Sequence, residues 1–412
     1  MLSYRPSLTT IMGTRSFWIV VAALLAMMAA AGAPSPLYVV YEQRIGFSSV
    51  TLTVIFAVYV VALLATLLTV GSLSDHVGRK PVLAIAFVLE IVSVALFLPA
   101  DSVAWLMLAR VVQGIATGVA LGALGAALVD TEPAGSGRGT LMNSVLPALG
   151  LAVGALGAGV LLEYAPSPIQ AVFWVLIAIM VLTLVGLLAM PETALRRPGA
   201  LASLRPDLRV PAKVRPAFLA GLPIFVATWA VGGIYLSLGG SLAAGVFGLR
   251  NHVVGGLVVA VLTLSGALAS YLLRAAPPRR STWLGSYALV LGLLLALAGI
   301  AAPSPVLFFL GSAVTGLGFG GSYLGALRAV MATVPAGSRA ATLSAVLTVS
   351  YLAFSGPAII AGWAATRVGL RDAAVGYAIA VILVTLASMA IQLGRSRGLR
   401  RATPPVPAGQ DP

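Results

Sequence analysis

The chain has 412 residues, of which 60% are hydrophobic and 9% charged, with a mean hydropathy of +1.05. Soluble domains carry about a quarter charged residues, and surface-to-volume scaling denies a soluble chain a core large enough for this much apolar side chain, so lipid must be the main solvent. The formal net charge of +14 would by itself suit a nucleic-acid phosphate backbone, while the absence of cysteine excludes disulfides and thiolate metal sites.

A helix needs about 20 apolar residues to cross the hydrocarbon core, and twelve stretches qualify. In chain order they run over about 16–40, 49–70, 81–99, 103–128, 140–162 and 169–190, then about 216–240, 253–273, 282–301, 305–327, 341–365 and 373–394. The first is too long for a signal peptide and continues through Pro34 and Pro36 without a small-residue cleavage site, so it is read as retained. The expected fold is an all-α membrane protein with 12 transmembrane helices arranged as two pseudo-symmetric six-helix bundles. Residues 1–190 form the first bundle and 216–394 the second. Residues 191–215, rich in Arg and Pro, form a linker, and 395–412 read as a disordered tail.

An even number of spans puts both termini on one side. Twenty of the 25 Lys and Arg then fall on that side, four (Arg44, Arg250, Arg367 and Arg371) fall on the other, and Arg110 lies inside a span. Such a skew places the termini and the linker in the cytoplasm, and it accounts for the net charge with no nucleic-acid partner. The basic residues are Arg except for Lys80 and Lys213, which fits a GC-rich bacterial genome. The expected location is the bacterial inner (plasma) membrane, the lipid bilayer is the expected surrounding, and the chain is expected to act as a monomer.

Between the second and third spans lies Gly71-Ser72-Leu73-Ser74-Asp75-His76-Val77-Gly78-Arg79-Lys80. Gly71 and Gly78 permit a tight reversal, and Asp75 beside Arg79 and Lys80 makes a charge cluster able to pair differently in two conformations. A plain solvated turn would also satisfy these residues. Glu90 is the one carboxylate near the middle of a span, roughly 14 Å below its outer end on a 1.5 Å rise. Arg110, on the next antiparallel span, lies at roughly 12 Å. An Arg within a span is costly and points to function, although it could also satisfy backbone carbonyls. Glu90 and Arg110 are expected to form a midplane ion pair, either fixed and structural or with Glu90 as a proton carrier. In the fifth span, Gly150, Gly154, Gly157 and Gly159 follow Asn143 and Pro147, and small residues at this spacing let helix backbones approach closely.

Taken together these residues resemble the major facilitator superfamily. The loop matches that family's signature G-x-L-x-D-x-x-G-R-K through Gly71, Leu73, Asp75, Gly78, Arg79 and Lys80. Arg110-Val111-Val112-Gln113-Gly114 is similar to its fourth-span motif R-x-x-Q-G, and Pro191-Glu192-Thr193 closes the sixth span as in many members. The glycine-rich fifth span is similar to the family's exporter motif, but Ala155 stands where that motif has Pro and Ala158 replaces a Gly. The resemblance implies alternating access, a latch between the halves at Gly71, Asp75, Gly78, Arg79 and Lys80, and proton coupling at Arg110. The second-half counterpart of the loop, Arg274 to Arg280, lacks the acidic member. The family lines its cavity with spans one, four, seven and ten, which makes Trp229, Tyr235 and Tyr323 candidate substrate contacts, joined by Gln113, Asn143 and Tyr351.

Asn143 and Gln113 are nearly the whole supply of amides in the spans, which disfavours sugars. An apolar, aromatic-lined cavity suits hydrophobic or amphiphilic small molecules. The expected function is proton-coupled efflux of such molecules by a secondary transporter, with protons and the small-molecule substrate as partners. The alternative is a carrier of small organic anions held by Arg110, and a more remote one is a non-transporting sensor. No G-x-S-x-G, paired-His or intramembrane acid cluster is present, so no enzymatic activity, metal or cofactor is expected.

Overall fold

The computed structural model describes residues 8–133, 136–194 and 196–402. Twelve helices are long and apolar enough to span a membrane. Spans 1 to 6 are Thr14–Gly46, Ser49–Val70, Arg79–Phe97, Val103–Thr131, Arg138–Tyr164 and Pro168–Ala189. Spans 7 to 12 are Arg215–Phe247, His252–Leu272, Pro278–Ala301, Pro305–Met331, Ala336–Val368 and Leu370–Gly394. The described residues contain no strand, as expected where lipid offers the backbone no partner.

Span 1 is broken. Its first helix ends at Gly32, a second runs from Pro34 to Tyr41, and a π-helical turn, Glu42–Gly46, closes it. Pro34 has no N–H, so the carbonyl of Ala30 loses its usual partner four residues on. A side chain from span 4 takes that place, as described below. Pro147, Pro223 and Pro357 lie inside helices that continue through them.

Glycine sets how closely the helices approach. In spans 9 and 10, Gly285, Gly292 and Gly299 face Ser322, Thr315 and Phe308, while Gly311, Gly318 and Gly325 face Ala296, Leu289 and Thr282. A seven-residue spacing is close to two helical turns, so each set stays on one face and the two backbones run in contact. Helices in lipid associate through such close packing, since apolar side chains gain little by leaving lipid. Span 4 lays Gly114, Gly118 and Gly122 against span 2 and its following loop in the same way. In span 5, Gly150 and Gly154 pack on span 1, Gly159 packs on His252 and Val253 of span 8, and Gly157 faces open space. Gly150, Gly154 and Gly159 are therefore packing surfaces in this structure.

Contacts between the halves gather away from the linker, on what is here called the far face. Glu163 at the end of span 5 accepts hydrogen bonds from the backbone N–H and the Nδ1 of His252, each at 2.9 Å. Among the described residues no other carboxylate–basic side-chain contact joins the halves. Ser241 donates to Glu42 Oε2 at 3.4 Å, and Ser35 donates to the Leu236 carbonyl at 2.7 Å. Below them Gly256 of span 8 rests on the Ala155 backbone, and Gly362 of span 11 rests on Ser49 and Thr53 of span 2.

On the linker face, the Arg197 N–H donates to the His76 carbonyl at 2.9 Å, and Ser72 donates to the Ser203 carbonyl at 3.1 Å. The linker's other end packs Val210 and Val214 against Val330, Val334 and Val346 of the second half. The tail expected to be disordered from 395 instead prolongs the last helix to Ala402. No proline lies between Pro357 and Pro404, so none forces the helix to stop at the membrane boundary. Residues 403–412 lie outside the described residues.

Candidate functional site

The loop 71–80 folds around Arg79. Ser74–Val77 forms one short helical turn, and Gly78 follows with φ +108°. That conformation favours glycine, and a Cβ there would also approach Glu192 Oε2 to 2.6 Å. The buried Arg79 guanidinium donates to Ser74 Oγ at 2.7 Å, to Asp130 Oδ2 at 3.1 Å and to Asp75 Oδ1. Asp130 ends span 4, so the cluster ties spans 3 and 4 within the first half. The residues expected to latch one half to the other are held here by first-half partners.

Glu192 is a member of this cluster that its sequence context conceals. Its carboxylate accepts the backbone N–H of Arg79 at 2.8 Å and of Lys80 at 3.1 Å, and also those of Thr193 and Ala194. It thereby caps the N-terminus of span 3, where two orphan donors and the positive end of the helix dipole favour an anion. Desolvation pushes the Glu192 carboxyl up, but the four N–H donations outweigh it and hold the group below its ordinary value. A depressed carboxyl contributes stability above the ordinary carboxylate range and loses it as pH falls through its own titration. Replacing Glu192 by Gln is expected to speed exchange of the Arg79 and Lys80 amides about fivefold, matching a cap worth about 1 kcal/mol. Hydrogen exchange followed against pH checks this, and the difference from wild type should vanish at acid pH.

A second set of polar side chains is buried within the first half. Glu90 is 0% exposed, Arg110 1% and Gln113 1%. Direct pairing of Glu90 with Arg110 is corrected by the structure, which places the Gln113 carboxamide between them. Gln113 Nε2 donates to Glu90 Oε1 at 2.9 Å and to the Ala30 carbonyl at 3.0 Å, and its Oε1 accepts from Arg110 Nη1 at 2.5 Å. The Ala30 carbonyl is the one freed by Pro34. Both Nε2 protons are thus committed, so Gln113 belongs to the charged network and not to a substrate surface in this conformation. Arg110 Nη2 donates to the Tyr38 hydroxyl, and its guanidinium lies 5.2 Å from the ring centres of both Tyr38 and Tyr59 and 5.8 Å from that of Phe97. Aromatic faces attract a desolvated cation, which is how this charge is tolerated. Glu90 Oε2 and Arg110 Nε are buried without a hydrogen-bond partner.

Aromatic residues gather on the second half. The Trp229 ring meets Tyr351 at 4.8 Å, Phe354 at 5.4 Å and Tyr323 at 5.7 Å, each edge to face. Phe354 also touches Phe56 of span 2 at 5.0 Å. Three of the candidate substrate contacts, Trp229, Tyr323 and Tyr351, therefore come together. Tyr235 does not join them. Its hydroxyl is bonded to Ser312 Oγ at 2.8 Å and its ring stacks on Phe308, which buries it between spans 7 and 10. Asn143 also stands apart, exposed near the linker-face end of span 5 beside Gly125 of span 4.

Tyr38, Tyr59, Phe56 and Phe354 complete this arrangement. Phe354 lies three residues from Tyr351 on span 11, a spacing that puts the two on one helix face. Tyr38 sits next to the Pro34-Ser35-Pro36 break, which is the one local signal that could have drawn attention to it. Tyr59 and Phe56 lie in a uniformly apolar helix that gives no such signal.

The Major Facilitator Superfamily model matches residues 17–357. Among solved structures, the nucleoside transporter NupG superposes with TM-score 0.72 at 13% identity, over 92% of this chain and 99% of that one. A bacterial homolog of the human lysosomal transporter Spinster, in an inward-facing and unoccupied conformation, gives 0.70 at 14%, over 97% and 100%. The human organic anion transporter MFSD10 (TETRAN) gives 0.65 at 18%, over 91% and 99%. These identities speak to fold alone, but the family model spans most of both halves, the signature loop and the Arg110 segment. The chain belongs to the Major Facilitator Superfamily of membrane transporters.

Proposed function

We propose that this chain is a secondary transporter that works by alternating access and exports hydrophobic or amphiphilic small molecules in exchange for protons. The observation that carries the reading is the adjacency of two chemically different sites near the middle of the molecule. One is the buried Glu90–Gln113–Arg110 network, and the other is the aromatic group of Trp229, Tyr323, Tyr351 and Phe354. Glu90 is the proton carrier in this reading, with its unpartnered Oε2 as the protonation site. The aromatic group supplies apolar area with few directional hydrogen bonds, which suits lipophilic cargo.

The linker face is taken as cytoplasmic in a bacterial inner membrane, because it carries most of the Lys and Arg. Contacts on the far face then make this an inward-facing form of a monomeric carrier. In that form the loop latch is released, with Asp75 held by Arg79. Its re-engagement with the second half would belong to the outward-facing form.

A second reading has its own observation. Arg110 Nε is buried without an acceptor, so a carboxylate admitted beside Tyr59 would find a donor there, and the chain would carry small organic anions. Purified protein in liposomes with an imposed proton gradient separates the two. Gradient-dependent movement of lipophilic dyes supports the first reading, and salt-sensitive uptake of carboxylates supports the second. A chain that binds such ligands yet moves none would overturn both and leave a sensor.

A further inference from the structure

In this conformation Arg110 is sealed off. Tyr38, Tyr59 and Phe97 surround its guanidinium, so a molecule resting on the aromatic group of the second half does not touch it. If the two sites exchange information, some residue between them must carry it. We propose that Tyr59 is that positioning residue: its ring rests on the Arg110 guanidinium while its helix face meets the substrate-side aromatics across the junction of spans 2 and 11. The proposal rests on the proton-exchange reading above and assigns the link between its two sites.

Three observations support it. Phe56 and Tyr59 are three residues apart on span 2, so they share a face. Tyr351 and Phe354 do the same on span 11, and the two faces oppose each other. Phe56 meets Phe354 at 5.0 Å and Gly362 rests on Ser49 and Thr53, so the two helices run antiparallel and Tyr59 and Tyr351 both lie three residues deeper than the Phe56–Phe354 contact. Both members of the span 11 pair touch Trp229.

Neither side of this junction has slack. Gly114, one turn along span 4 from Arg110, packs directly on the Tyr59 carbonyl, so Tyr59 leaves Arg110 only if span 2 slides on span 4. Gly233 packs on the Phe354 carbonyl, and a Cβ at Gly232 would lie 2.9 Å from its ring, which fixes Phe354 to span 7. Separation of spans 2 and 11 must therefore move Tyr59 relative to either Arg110 or the aromatic group. Spans 2 and 11 belong to different halves, so that separation accompanies any opening of the far face. Tyr38 is the other ring on Arg110, but it lies on the broken part of span 1 and the named ring contacts of the second half do not include it.

The test compares Tyr59→Phe, which keeps the ring, with Tyr59→Leu, which removes it, in full-length protein in liposomes. Ethidium is the probe. Its downhill flux is measured without a proton gradient and its accumulation with one. Tyr59→Phe is expected to stay within about twofold of wild type in both assays. Tyr59→Leu is expected to lose gradient-driven accumulation at least tenfold more than it loses downhill flux.

Full accumulation in Tyr59→Leu overturns the proposal. So does an equal loss of both activities in Tyr59→Leu protein that melts like wild type. Wild type that moves ethidium only downhill overturns proton exchange itself, a result the variants do not affect.

A second readout needs no substrate. The chain has no cysteine, so spin labels at Tyr164→Cys and Arg250→Cys report the far-face distance cleanly. In wild type the distance distribution is expected to shift with pH. In Tyr59→Leu that shift is expected to vanish, and its persistence overturns the proposal even if ethidium is not carried.

Discussion

Replacement of Glu90 by Gln is expected to lower proton-gradient-driven transport by about a hundredfold or more, the scale of a lost proton-transfer group. Substrate exchange without a gradient should survive. The substitution is nearly isosteric, and its new amide oxygen can still accept from Gln113 Nε2, now 2.9 Å from Glu90 Oε1. What disappears is the capacity to take and release a proton. A structural role would give a different result, because a network that survives intact would then leave gradient-driven transport untouched. Stopped-flow detection of proton movement alongside dye movement reads both quantities in one vesicle. Gradient-driven transport at the wild-type rate in Glu90→Gln would remove Glu90 from the coupling path. A change at Arg110 makes a useful contrast. Arg110→Lys keeps the charge but loses the planar fork that serves Gln113 Oε1 and the Tyr38 hydroxyl together. It is therefore expected to disturb the fold of the network as well as its proton chemistry, and thermal melting should show it.

The physical reasons for what the sequence displays and conceals differ from site to site. The twelve spans are legible because lipid demands a continuous apolar run, and a charge in such a run stands out. Glu90 and Arg110 are visible for that reason, and counting helical rise puts them at similar depth. Their geometry is not visible, because it depends on a third side chain. One of the three bonds that hold Gln113 goes to the Ala30 carbonyl, which Pro34, on another helix, frees. Sequence spacing within one helix carries no trace of that contact.

The aromatic candidates divide on similar grounds. Trp229 and Tyr235 are six residues apart, which rotates one about 240° from the other around the helix, so both could not face the same group. Deciding which one did required the neighbouring helices. Phe56 and Tyr59 stayed hidden because a helix that is apolar all round offers no contrast between its faces. Glu192 was read only as the end of span 6, since the amides it caps are 113 and 112 residues away in the chain.

The far-face seal supports the second large prediction. Gly256 of span 8 sits where a Cβ would collide with the Ala155 carbonyl oxygen, approach Ala155 C to 2.9 Å and Leu156 Cα to 3.0 Å. These are backbone atoms of span 5, so a side chain there cannot be accommodated by turning a rotamer. Gly256→Leu must push spans 5 and 8 apart, which also strains the Glu163–His252 pair at their ends. The cost falls on the closed far face alone, because an open far face has already separated these helices. A substitution that destabilises one of two conformations shifts the population toward the other by its differential cost. Forcing apart well-packed backbones costs about 1–3 kcal/mol, enough to move a balanced equilibrium by about fivefold to 150-fold toward the open far face. Spin labels at Tyr164→Cys and Arg250→Cys should lengthen their distance, and a reagent added from the linker face should reach a cysteine at Asn143 more slowly. Transport should fall in proportion, since the cycle needs both forms. Glu163→Gln in the same background is expected to add little, because the pair it weakens is already parted. An unchanged distance distribution in folded Gly256→Leu protein would show that the TM-helix contact at Gly256 does not close the far face.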